Sequence, residues 1–150
     1  MNRLHAHIKV DDLEQSIAFY EALFGHPPDI KRPDYAKWML ENPRANIAIS
    51  PTKNADDATT GLCHLGIETE NDAALSLIAT RMHNENQSPT PEPDANCCYA
   101  NSNKFWARAP EGVTWEIFHT LRQIDDYGNK GKSPRTSARG FQCCAPSSNG

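Results

Sequence analysis

Leu4-His5-Ala6-His7-Ile8-Lys9-Val10, followed by Asp11-Asp12-Leu13, has a second copy in Leu62-Cys63-His64-Leu65-Gly66-Ile67-Glu68, followed by Glu70-Asn71-Asp72. Laying His5-Ala6-His7-Ile8 over His64-Leu65-Gly66-Ile67 gives an offset of 59 residues, and the segments downstream of each also correspond. In the first copy Leu4, Ala6, Ile8 and Val10 fall on one face at period two, with His5 and His7 on the other, which predicts a strand. Asp11-Asp12 then supplies a helix cap. Leu13, Ile17, Tyr20 and Phe24 recur at helical spacing until Gly25 and Pro27-Pro28 stop them. Residues 36–41 and 45–50, turning at Asn42-Pro43, predict a hairpin. After a polar linker over 51–60 the order restarts with a strand at 62–68 and a helix carrying Ala74, Leu75, Leu77 and Ile78. Pro89, Pro91 and Pro93 predict a loop, and strands are expected at 97–100, 104–109 and 113–119, the last two joined by Pro110-Glu111-Gly112. The chain therefore reads as a duplicated strand-helix-strands module. Superposing the last strands sets Glu116 opposite Ala48, so the repeat keeps both histidines but one acid.

A chain of 150 residues is one domain by length and buries about 70% of its unfolded surface. With 38% hydrophobic and 23% charged residues and a net charge of −4, it has the composition of a slightly acidic globular protein. That balance gives no electrostatic support to nucleic-acid binding. No segment approaches the roughly 20 apolar residues of a membrane helix, and the start of the chain has no secretory apolar run. The expected setting is the cytoplasm. There the five cysteines, Cys63 and the pairs Cys97-Cys98 and Cys143-Cys144, are expected to be mostly thiols. Adjacent cysteines close a disulfide only through a strained ring, which favours chelation over stapling. Residues 1–120 form the expected domain, with modules at about 3–52 and 60–120. Residues 121–150 lack a periodic apolar pattern and are expected to be a mostly flexible, cysteine-containing tail.

Imidazole and carboxylate suit a redox-active metal, whereas thiolates are soft ligands, so His5, His64 and Glu116 together with Cys97 and Cys98 point to a metal enzyme acting on a thiophilic substrate. On a regular strand Cys97 and Cys98 would point to opposite faces. The residues before them, Asp94-Ala95-Asn96, predict a loop that lets both sulfurs face one way, and Lys104 is placed to lower a thiol pKa. His7 shares a face with His5, as a partner of the site or as an ordinary strand histidine. His26, His83 and His119 carry no assigned role.

The duplicated module, with His5, Val10-Asp11-Asp12-Leu13-Glu14 and Ile17-Ala18-Phe19-Tyr20, resembles the vicinal oxygen chelate superfamily of glyoxalases, extradiol dioxygenases and related resistance proteins. Pro33-Asp34-Tyr35-Ala36-Lys37, Cys63-His64-Leu65-Gly66, Cys97-Cys98-Tyr99-Ala100 and Lys104-Phe105-Trp106 resemble its ArsI/CadI branch, the carbon–arsenic lyases and cadmium-induced proteins. The resemblance spans about residues 3–120. It implies an α+β fold in which two tandem βαβββ modules form a cupped mixed sheet. It also implies Fe(II) on His5, His64 and Glu116, with Cys97 and Cys98 binding a trivalent organoarsenical, methylarsenite or an aromatic arsenical, that is cleaved with dioxygen to arsenite. Some members of this branch have glutamine where this chain has His5. Auxiliary roles are open to Tyr99, to Lys104 and to Cys143-Cys144, the last as a carrier of arsenic to or from the site. The expected enzyme takes small molecules, acts as a monomer or homodimer, and engages neither nucleic acid nor membrane. Two alternatives are a cadmium- or metalloid-sequestering protein without turnover, and an isomerase or thiol transferase using Mn(II), Ni(II) or Zn(II). The absence of an acid at Ala48 and the presence of Cys97-Cys98 weigh against the latter.

Overall fold

The computed structural model describes residues 1–52 and 60–127. The first module runs β1 (Arg3–Val10), α1 (Leu13–Phe24), β2 (Ile30–Arg32), β3 (Tyr35–Glu41) and β4 (Arg44–Pro51). The second runs β5 (Gly61–Glu68), α2 (Asp72–Asn84), β6 (Thr90–Cys97), β7 (Ala100–Arg108) and β8 (Thr114–Gln123). Both are βαβββ, as the resemblance implies. The eight strands form one sheet in the order β2-β3-β4-β1-β5-β8-β7-β6. At its centre β1 pairs antiparallel with β5, while β4 and β8 flank them in parallel. This arrangement sets His7 opposite His64, His5 opposite Asn46 and Gly66 opposite Glu116.

Side-chain alternation divides the sheet into two unlike faces. Val10, Ala36, Trp38 and Ile49 pack under Leu13 and Ile17 of α1, and Phe105 and Ile117 pack under Leu75 of α2. The alternate residues, including His5, His7, His64, Lys104 and Glu116, line a cavity on the other face. The helices start where the polar caps predict: Asp12 accepts from the Gln15 N–H at 2.9 Å, and Asn71 accepts from the Ala74 N–H at 2.8 Å. Gly25 closes α1 at φ 80°, a left-handed conformation that glycine adopts without a side-chain penalty.

Four expectations about local structure change. The loop expected from Pro89, Pro91 and Pro93 is the edge strand β6. An edge strand has one side without ladder partners, so a proline facing that side sacrifices no bond. The ladder also slips between Glu92 and Ala95, where Asp94 takes φ 52°. Conversely, 97–100 is not a strand: Cys97 ends β6, Cys98 and Tyr99 turn at φ 56° and 61°, and Ala100 opens β7. The short β2 carries too little pattern to be foreseen. Finally, β8 continues to Gln123, because its last residues pair with Ala100 and Asn101 at the start of β7.

Gly66 lets β5 and β8 of the second module lie close together. A Cβ at this position would lie 2.2 Å from the Glu116 carbonyl oxygen and 3.3 Å from His5 Cδ2. No side-chain rotation relieves a collision with backbone. Gly66→Ala is therefore expected to part β5 from β8 and to destabilise the fold by about 1–3 kcal/mol or more. Urea unfolding checks this, and a midpoint equal to that of the wild type would contradict the packing.

Candidate metal and thiol site

His5 enters the cavity from β1, His64 from β5 and Glu116 from β8, and all three are buried. Their facing atoms form a small triangle. His5 Nε2 lies 3.2 Å from His64 Nε2, and Glu116 Oε2 lies 3.5 Å and 3.3 Å from these two nitrogens. Ligand atoms about 2.1 Å from one ion stand this far apart, so the triangle has the size of one face of a coordination shell. His7 joins His5 and His64 in a wider group whose ligand atoms all lie within 4.8 Å of one another. However, His7 Nε2 is 2.9 Å from Ser50 Oγ, whereas Glu116 Oε2 faces both other Nε2 atoms. His5, His64 and Glu116 are therefore the tighter set.

Hydrogen bonds orient these donors. His5 Nδ1 is 3.1 Å from the Asn46 carbonyl oxygen, which can only accept, so Nδ1 carries the proton and Nε2 presents its lone pair. Burial lowers the His5 pKa to about 4 and holds His7 well below the ordinary histidine range, leaving both rings neutral near pH 7. Glu116 experiences opposing effects. Burial pushes its pKa up, but Lys104, His64 and His5 together outweigh burial and hold it well below the usual carboxylate range. Lys104 Nζ donates to Glu116 Oε1 at 2.8 Å, leaving Oε2 to face the imidazoles. The rings of Phe118 and Trp106, with centroids 5.2 Å from His5 and His64 respectively, wall the triangle with apolar surface.

Cys97 and Cys98 line the same cavity, which has a volume of about 40 Å³, room for about three water-sized molecules. The left-handed turn brings the two sulfurs to 3.1 Å, too far for a bond between them. Two expectations about the cysteines are corrected here. Cys63 and Cys97 each take part in a disulfide rather than standing as thiols. Ring strain disfavours a bond within an adjacent pair but places no restriction on other pairings. The Cys98 thiol is pushed up to about 11 rather than down: burial and the Glu116 charge dominate, and Lys104 only partly offsets them. Tyr99, the other auxiliary candidate, points its hydroxyl at Asp34 and packs on Tyr35. Cys143 and Cys144 lie outside the described residues.

Sequence reasoning missed several lining residues. Lys37 and Asn46 reach the cavity from β3 and β4, and Tyr35 completes its wall. The period-two pattern of β3 and β4 could have marked this face, but only the parallel β1–β4 register reveals that Asn46 is the partner of His5.

The sequence profile of the Glyoxalase/Bleomycin resistance protein/Dioxygenase superfamily matches residues 3–117. The chain belongs to that superfamily. Among curated members, it is 34% identical to a trivalent organoarsenical cleaving enzyme of Thermomonospora curvata, over 96% of this chain and 100% of the relative. It is 28% identical to the cadmium-induced protein CadI of Mycobacterium bovis, over 96% of this chain and 93% of that protein. Among solved structures of the fold, the 2,3-dioxygenase LapB of Pseudomonas sp. KL28 superposes with a TM-score of 0.61 at 17% identity, covering 81% of this chain and 42% of LapB. The curled mixed sheet with two helices is thus the superfamily fold.

Proposed function

We propose that the protein is an Fe(II)- and dioxygen-dependent carbon–arsenic lyase that cleaves trivalent organoarsenicals, methylarsenite and aromatic arsenicals, to arsenite, serving organoarsenical detoxification. One observation carries this reading: the sulfurs of Cys97 and Cys98 share a buried cavity with the triangle of His5, His64 and Glu116. The similarity to the Thermomonospora curvata enzyme supports it. Two imidazoles and one carboxylate fit Fe(II), which when bound supplies dioxygen activation. Cys97 and Cys98 hold arsenic at two points, and Phe118 and Trp106 keep bulk water from the triangle. Capture needs Cys97 as a thiol, so the disulfide at Cys97 is first reduced, as a reducing cytoplasm would do. Because the Cys98 thiol is protonated near pH 7, its proton leaves with the hydroxide displaced from arsenic, as water.

Lys104 has a testable part in this arrangement. Lys104→Met removes the cation that keeps Glu116 ionised, so the Glu116 pKa rises and protons compete better with the metal. Fe(II) affinity at pH 7 is expected to fall about 10–100-fold, the usual consequence of losing a partner outside the ligand shell, and to recover as pH rises. An unchanged pH profile of metal binding would contradict this role.

The similarity to CadI favours a second reading, sequestration by the same thiols without turnover. Reconstitution separates the readings. Reduced protein loaded with Fe(II), Mn(II), Ni(II) or Zn(II) is given methylarsenite in air. Turnover with Fe(II) alone supports the lyase, turnover with the other metals points to a different reaction class, and retention with none supports sequestration.

A further inference from the structure

Beyond Gln123 the chain folds back onto the turn that carries Cys98. Ile124 N–H donates to the Tyr99 carbonyl at 3.0 Å, and Cys98 N–H donates to the Tyr127 carbonyl at 2.6 Å. These two bonds bracket two consecutive non-glycine residues at positive φ. Such a backbone persists only where its surroundings hold it. The side chain of Tyr127 adds a second grip. Its hydroxyl is hydrogen-bonded both to Cys98 and to Ser50, and Ser50 in turn bonds His7. Its ring closes a three-sided aromatic wall with Tyr35 and Tyr99, with centroid separations of 6.1 Å from Tyr35, 5.7 Å from Tyr99, and 5.7 Å between those two. Cys98 packs against this wall.

We infer that Tyr127 is a positioning residue for arsenical capture: its carbonyl fixes the turn, and its phenol aims the Cys98 sulfur into the cavity and hydrogen-bonds it as arsenic is bound. This rests on the assignment of Cys97 and Cys98 as the capture site. In the capture step an As–S bond replaces an As–OH bond, and the thiol proton leaves with the hydroxide as water; no electrons are transferred. The charged and titratable groups facing Cys98 are Glu116 on β8, Lys104 on β7, Lys9 on β1, Tyr35 and Lys37 on β3, and Tyr127 itself. Of these, Tyr127 holds Cys98 through both backbone and side chain.

The experiment uses the full chain reduced with a trialkylphosphine and phenylarsonous acid as probe, following the capture rate from pH 7 to pH 12, a range that spans the Cys98 thiol at about 11. Tyr127→Phe keeps the carbonyl and the ring but removes the hydroxyl. It is expected to slow capture at pH 7 by about tenfold, the lower end for a lost hydrogen bond to a charged group, and to move the pH midpoint upward, while Fe(II) affinity stays at the wild-type value. Ser50→Ala, which releases the phenol on its far side, is expected to shift the midpoint in the same direction by less. Wild-type rate and midpoint in Tyr127→Phe, alongside weakened binding in Cys98→Ser, would overturn the role of Tyr127 alone. Wild-type binding in Cys98→Ser would overturn the capture site and the role of Tyr127 with it.

Discussion

Glu116→Ala is expected to weaken Fe(II) binding by more than about 100-fold and to abolish arsenite release. Loss of an outer partner costs a metal site 10–100-fold, and loss of a ligand exceeds that. Glu116 Oε2 faces both imidazole nitrogens within 3.5 Å, so no neighbouring carboxylate on the repeat can replace it; the corresponding position is Ala48. The substitution also strands the buried Lys104 ammonium, a defect of about 3–5 kcal/mol. The double variant Glu116→Ala, Lys104→Met removes that stranded charge. Restored thermal stability without restored metal binding is the predicted result. Anaerobic calorimetry with Fe(II) makes the measurement, and wild-type affinity in either variant would sink the ligand assignment.

Cys98→Ser carries the second large effect. Two linked thiolates bind one arsenic more tightly than either alone because the second bond forms within the molecule, an advantage of about 10²–10⁴ in affinity. The sulfurs already stand 3.1 Å apart, held by the turn at Cys98 and Tyr99, so little reorganisation is needed to engage both once Cys97 is reduced. Cys98→Ser should therefore lose that factor for phenylarsonous acid while retaining Fe(II). Binding of both ligands at wild-type strength would show that the thiol pair has another purpose.

The fold was readable because the first module opens with a strand whose apolar and polar positions alternate, the second repeats it at an offset of 59 residues, and the helices that follow are capped by Asp12 and Asn71. The same repeat placed His5 and His64 at matching points, and they meet across the β1–β5 pair. Glu116 was visible as the acid on the last strand. The identity of the groups that hold these donors was not. The bond from His5 to the Asn46 carbonyl depends on a parallel register that no local pattern encodes. Lys104 lies near both the thiols and Glu116, and only the β7–β8 pairing shows that it bonds the carboxylate. Pro91 and Pro93 indicated a loop because proline removes a ladder donor, yet on an edge strand that donor has no partner to lose. Tyr127 escaped notice because it follows the last periodic segment and is placed by two backbone bonds to the Cys98–Tyr99 turn.

Arsenic speciation in a single anaerobic preparation tests the central claim most directly. Phosphine-reduced protein is loaded with Fe(II), given methylarsenite and divided, one half being exposed to dioxygen before chromatographic separation of the arsenic species. Arsenite only in the half exposed to dioxygen, and only with iron bound, is the predicted result. Methylarsenite recovered intact and stoichiometric with protein from both halves would contradict the lyase and leave a sequestering protein in its place.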